Sequence, residues 1–142
     1  MAAFTLTDAL VIINGVTLSD HANEVTVNDT REQVDMTAFG ATNKVYGKGL
    51  GDGTITVKLF QDFAAGKTHA TLQPLLSSTT PVTVEVRATS AARSSTNPAV
   101  LMSGLLFEYQ ALAGGIGAVS ETTATFQNAS SAGITSCSVV TT

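Results

Sequence analysis

Residues 54–60, TITVKLF, alternate polar and apolar side chains: Thr54, Thr56 and Lys58 fall on one side, Ile55, Val57 and Leu59 on the other. A period of two is the repeat of a half-exposed strand, and the β-branched residues suit a pleated surface. The pattern recurs in residues 24–28 (EVTVN) and 82–86 (VTVEV), and threonine is the commonest residue of the chain. Extended along the sequence, it predicts strands near 9–17, 23–28, 32–39, 53–60, 81–89, 99–112, 117–127 and 133–140. One helix is predicted, from Thr68 or Thr71 to about Ser77, with Leu72, Leu75 and Leu76 spaced to pack inward. The fold class that follows is mainly β: an antiparallel sandwich or barrel with one flanking helix.

The strand at 54–60 runs into Gly66-Lys67-Thr68, which looks like the end of a phosphate-binding loop. Such a loop needs a glycine five positions earlier, where the backbone must approach phosphate closely. Position 61 is Gln, and Pro74 interrupts the helix that would offer its N-terminus to the phosphate. Nucleotide binding is therefore not expected, and the segment reads as strand, turn and packing helix.

The chain has 142 residues, enough for one domain with a single core, and 1–142 is read as such. It has 7 basic and 11 acidic residues and a formal net charge of −4. Affinity for nucleic acid comes largely from clustered Lys and Arg on phosphates, and no cluster exists here. A mean hydropathy of +0.26 with 13% charged residues leaves much uncharged surface, of the kind often buried against partners. The single cysteine, Cys137, cannot form an internal disulfide. The apolar run Ala9–Ile13 is too short to span a membrane, and no basic residue precedes it, so no membrane insertion is expected.

No catalytic constellation assembles. His21 and His69 lack ligand-spaced partners, the glycines of residues 47–53 do not fit a dinucleotide fingerprint, and no nucleophile elbow is present. Catalytic, cofactor and metal sites are all expected to be absent. A β-sandwich that binds carbohydrate or acts as an adhesin is the alternative. With no Trp and two Tyr, the sequence offers such a module a poor aromatic platform.

Three features suit assembly. Glu108 and Gln110 project from one strand face, and Glu121, Thr123 and Thr125 from one face of the next, with Phe107, Tyr109, Ala111, Ala124 and Phe126 left to meet the core. The terminal stretches Phe4–Leu6 and Ile134–Val140 are strand-like and poor in charge, so their edges are open to pairing with another chain. Finally, residues 40–52 (GATNKVYGKGLGD) read as a connection too long for a simple hairpin. It offers Lys44 and Lys48 as cations and Val45, Tyr46 and Leu50 as apolar anchors.

The order of residues 32–40 (EQVDMTAFG), residues 46–54 (YGKGLGDGT) and the strand closing in Phe60-Gln61-Asp62 resembles the major tail (tail-tube) proteins of long-tailed bacteriophages. The likeness runs from about residue 12 to 127. It takes in Asn14-Gly15-Val16 near the start, the helix from Thr68, and the strand after Pro81. It departs at Gly51, where many relatives carry a larger residue, and at the Gly66-Lys67 turn.

That resemblance implies a virion protein of the phage tail, made in the host cytoplasm, whose homohexameric rings stack into a hollow tube. Tail-tip and tail-terminator proteins are the further partners it implies. DNA passes through the lumen without specific binding, and relatives include gene transfer agents and phage-like particles. On this reading Glu108, Gln110, Glu121, Thr123 and Thr125 line the channel. Lys44, Val45, Tyr46, Lys48 and Leu50 form a ring-stacking loop, mobile in the lone subunit.

Overall fold

In the computed structural model, residues 7–94 and 97–137 are described. Strands β1 (Leu10–Ile13) and β2 (Val16–Thr17) form a hairpin, followed by β3 (Ala22–Asp35) and β4 (Tyr46–Phe60). Helix α1 (Thr68–Leu76) precedes β5 (Val82–Arg87), β6 (Ala99–Tyr109), β7 (Glu121–Asn128) and β8 (Thr135–Cys137). All strand pairings are antiparallel, in one sheet ordered β2-β1-β5-β6-β7-β4-β3, with β8 added to the start of β6. The expected class, antiparallel β with one flanking helix, is what the chain adopts.

The first predicted strand, 9–17, is two strands. Asn14 and Gly15 both have positive φ (51° and 81°), the conformation of the tight two-residue hairpin turn that Asn-Gly favours. The sheet must then curl, because residues Leu18–His21 alone join β2 at one edge to β3 at the other. Four residues reach at most about 15 Å. Leu18 N–H donates to Val11 O, and Phe60 N–H to His21 O, fixing this corner to both edges.

Curling brings the inward faces together. Val11 and Ile13, Ile55, Val57 and Leu59, Val84, Met102, Leu106 and Phe126 form one buried cluster, with Val25 and Val27 packed at its margin. The Thr-Val alternation supplies this face strand by strand, leaving Thr54, Thr56 and Lys58 outside. Helix α1 covers the core with Leu72 and Leu75. Leu76, expected to pack inward, is instead 39% exposed, because it closes the last turn at the outer rim. Thr68 is the first helical residue and not the cap; it is fully buried and its hydroxyl donates to Phe60 O at 3.0 Å.

Two local features depart from the expected pattern. The segments 23–28 and 32–39 are one strand, β3, running without a break to Asp35. On β6, Leu106 pairs with Phe126 but Glu108 pairs with Thr125, so Phe107 is an extra residue in a β-bulge. The bulge switches the strand's alternation. Phe107, expected in the core, is 63% exposed, while Tyr109 takes the inward direction opposite Ala124.

Candidate functional site

The longest departure is the segment read as a loop from Gly40 to Asp52. Tyr46–Asp52 is strand, and the connection is only Met36–Val45. β4 pairs with β7 from Thr54 to Phe60, whereas its pairing with β3 continues to Tyr46 opposite Asp35. Residues 29–35 and 46–53 are thus a two-stranded arm projecting beyond the sheet. A ribbon of this kind is marginal in water, since beyond its buried base at Gly53 neither face has a core to cover it.

The glycines at 47, 49, 51 and 53 hid the strand, because alternate glycines weaken the strand signal. Here they make room for side chains across the ribbon. A Cβ on Gly51 would stand 2.8 Å from Arg31, and one on Gly49 would stand 3.1 Å from both Glu32 and Val34. A bulge lies between Arg31, opposite Gly51, and Gln33, opposite Lys48. It divides the glycines, so that Gly51 and Gly53 fall on the core side and Gly47 and Gly49 on the other.

The arm's tip is held by a short network. Met36 N–H donates to Val45 O at 2.8 Å, and Val45 N–H to Thr37 Oγ1 at 2.8 Å. Thr37 N–H donates to Asp35 at 3.0 Å, a hydrogen bond that holds the Asp35 carboxyl below its usual range. Lys44, Val45, Tyr46, Lys48 and Leu50 are all exposed on this arm, Leu50 to 82%.

The five residues expected to line a channel come together on the outer face of the sheet. Thr125 lies opposite both Glu108 and Thr56, Thr123 opposite Lys58, and Glu121 opposite Phe60. Gln110, Glu121 and Thr123 border one open depression with Lys58 and Val119. Lys58 lies 3.5 Å from Glu24, and Glu121 accepts from Asn23 at 3.0 Å. With Lys58 matched by Glu24, the face keeps Glu108 and Glu121 as its excess charge.

Sequence reading missed a cluster at the corner between β2 and β3. His21 Nε2 lies 2.8 Å from Asp62 Oδ2, and Asp20 Oδ1 lies 2.9 Å from Nδ1, too far off axis for a directed hydrogen bond. The Asp20 carboxylate, and then Asp62, raise the His21 pKa against the opposing effect of burial. Asp62 is lowered first by the Ala64 N–H and then by His21. Lys67, the residue of the apparent phosphate loop, reaches Asp20 Oδ2 at 3.2 Å. The other histidine, His69, meets the Tyr109 hydroxyl at 2.8 Å. Only the adjacency of Asp20 and His21 signalled this cluster; Asp62 is 41 residues away.

The described residues contain no group of three or more His, Cys, Asp or Glu placed to hold a metal ion. No helix among them is long and apolar enough to cross a membrane. Among the described residues the exposed aromatics are scattered, with Phe39 and Tyr46 on the arm, Phe63 on the turn after β4 and Phe107 at the bulge of β6, and they form no single platform. The terminal stretch Phe4–Leu6 lies outside the described residues, as do Ser138–Val140. Thr135–Cys137 pairs with β6 of its own chain.

No protein-family model matches the sequence, and no curated protein matches it. Solved structures do. A chain in the virion of a native gene transfer agent particle superposes with a TM-score of 0.72 at 12% identity, covering 94% of this chain and 98% of that one. A chain of the SPP1 tail tube gives 0.72 at 10% identity, covering 94% and 78%. A chain from the tail of an empty gene transfer agent particle, determined with helical refinement and C6 symmetry, gives 0.60 at 12% identity over 86% and 83%. The chain therefore has the fold of phage-type tail-tube proteins.

Proposed function

We propose that this chain is a structural subunit of a phage-type tail tube, assembled as hexameric rings that stack into a hollow conduit for DNA. The observation that carries this reading is the likeness, over 94% of the chain, to a chain of the gene transfer agent virion and to a chain of the SPP1 tail tube. The six-fold symmetry of the related tail supports six subunits per ring. On this reading residues 1–142 form one tail-tube domain whose terminal segments take part in assembly. The protein resides in the virion tail, is made in the host cytoplasm, meets tail-tip and tail-terminator proteins at the tube's ends, and catalyses nothing.

The face bearing Glu108, Gln110, Glu121, Thr123 and Thr125 lines the channel. DNA must slide past many rings, and each free cation on this face would add counterion-release affinity at every ring. A threonine-rich face with excess carboxylate avoids that. The arm carrying Lys44, Val45, Tyr46, Lys48 and Leu50 makes the contact between rings. A tube needs one contact that closes around the ring and a second that repeats along the axis without closing. An exposed ribbon with apolar side chains on no core suits the second.

Sedimentation tests the arm's role. Tyr46→Ala and Lys44→Glu/Lys48→Glu should each leave a folded subunit with native circular dichroism but reduce the polymer fraction. Variants that polymerise like the wild type at both low and high salt would remove the arm from ring stacking.

A further inference from the structure

We infer that Glu24 keeps Lys58 from engaging the phosphates of passing DNA, by way of a bulge that turns Asn23 and Glu24 onto the channel face together. This rests on the channel reading of that face and adds two residues of β3 to it. Lys58 is the basic residue in the lining of the depression that Gln110, Glu121 and Thr123 border. In the register it lies between Glu24 on β3 and Thr123 on β7, so the three side chains leave the sheet on one side. An unmatched lysine there would be a phosphate contact repeated in every subunit of every ring.

The backbone is shaped for the pairing. Ala22 lies opposite Leu59 and Glu24 opposite Lys58, so Asn23 is an extra residue in β3. Neighbours in a regular strand point to opposite faces, and a bulge re-aims one of them. Here both reach the channel side. Asn23 Nδ2 donates to Glu121 Oε1 at 3.0 Å, across β4, and Glu24 Oε2 lies 3.5 Å from Lys58 Nζ. Glu121, opposite Phe60, stands diagonal to Lys58. The lysine is thereby set between two carboxylates, one of them held by an amide. In return it offsets the repulsion between those carboxylates across β4.

The pair does not serve stability. Both side chains are exposed, and an exposed ion pair adds little to folding. What it changes is the charge a phosphate meets. Directly opposed Cβ atoms stand about 5 Å apart and diagonal ones about 7 Å, both inside the screening length of about 8 Å at physiological salt. A phosphate nearing the depression therefore meets one positive charge together with two negative ones. The ladder fixes these positions, so the match persists when the side chains part.

The test uses particles built from full-length variant chains, with genome release triggered in vitro and followed by a DNA-binding dye. Glu24→Gln should give tails of normal length and an unchanged unfolding temperature, but slower release at low salt. One unmasked phosphate contact loses about threefold in affinity between about 50 and 200 mM salt, and the delay should shrink by at least that factor over the same range. Glu24→Gln/Lys58→Gln should restore the wild-type rate, as should the exchange Glu24→Lys/Lys58→Glu. Thr123→Lys/Thr125→Lys, run alongside, reports whether the face meets DNA at all. If that variant is slow while Glu24→Gln matches the wild type, the mask is overturned and the channel reading stands. A delay in Glu24→Gln that removing Lys58 does not cure has the same meaning. Normal release from both Glu24→Gln and Thr123→Lys/Thr125→Lys, with intact tails, would overturn the mask and the channel reading together.

Discussion

Ile134, just before β8, lies across Gly53 of β4, so that a Cβ at position 53 would stand 2.7 Å from Ile134 Cγ1 and 2.8 Å from Cδ1. Gly53 is the last residue of the arm before β4 joins β7 at Thr54, and it is buried. The arm's base and the C-terminal segment are therefore locked through a missing side chain. Gly53→Val should overpack this contact and cost about 1–3 kcal/mol in urea melts. Combining it with Ile134→Ala should cost less than the two single changes added together, since the smaller residue makes room. Strict additivity would show that the two positions do not touch.

The helix supplies a graded series. Leu72→Ala and Leu75→Ala each remove a buried side chain and should cost about 2–5 kcal/mol. Leu76→Ala, at the exposed rim, should cost well under that, about 0.5 kcal/mol. Thermal unfolding of the three variants checks the order; a Leu76 effect equal to that of Leu75 would contradict the placement of the last turn.

The cluster around His21 predicts a pH dependence whose sign can be worked out. The His21 pKa is raised in the folded chain by Asp20 and Asp62, so its stabilisation is complete below the ordinary 6.5 and is lost as pH rises through the higher folded value. Asp20 is lowered by His21 and then Lys67, and Asp62 by the Ala64 N–H and then His21. Their stabilisation is present above 3.8 and is lost as pH falls through the lower folded values. All three act together between those limits. Between about pH 5.5 and pH 8.5 the wild type should lose more melting temperature than His21→Gln does. Parallel profiles would show that His21 contributes no pH-dependent stability.

If the threonine face lines the channel, adding cations to its middle should slow DNA transit without harming assembly. Thr123 and Thr125 are partly exposed on that face, with side chains away from the core. Thr123→Lys/Thr125→Lys should give particles with normal tails and slower genome release, the delay shrinking as salt rises. Unchanged release from intact tails would place this face outside the channel.

How much of this was legible depends on where the information resides. Strands whose inward residues are Val, Ile and Leu announce themselves by period, as Ile55, Val57 and Leu59 do. So does the pair Leu72 and Leu75, at helical spacing. The arm did not, because its strand is specified by its partner: β3 provides the hydrogen bonds and its side chains fill the space above Gly49 and Gly51. Phe107 was misdirected by a bulge that local alternation cannot reveal. The Asn14-Gly15 turn was readable as a hairpin signal and was passed over within a single predicted strand. Asp62 meets His21 only after the sheet has curled, so no local spacing encodes their pairing.

The central claim, that the chain builds a tube, is tested most directly by electron microscopy of the concentrated purified protein. The account predicts hollow tubes, or rings with six-fold symmetry and a central opening. A population that remains monomeric and featureless across concentration and salt would contradict it.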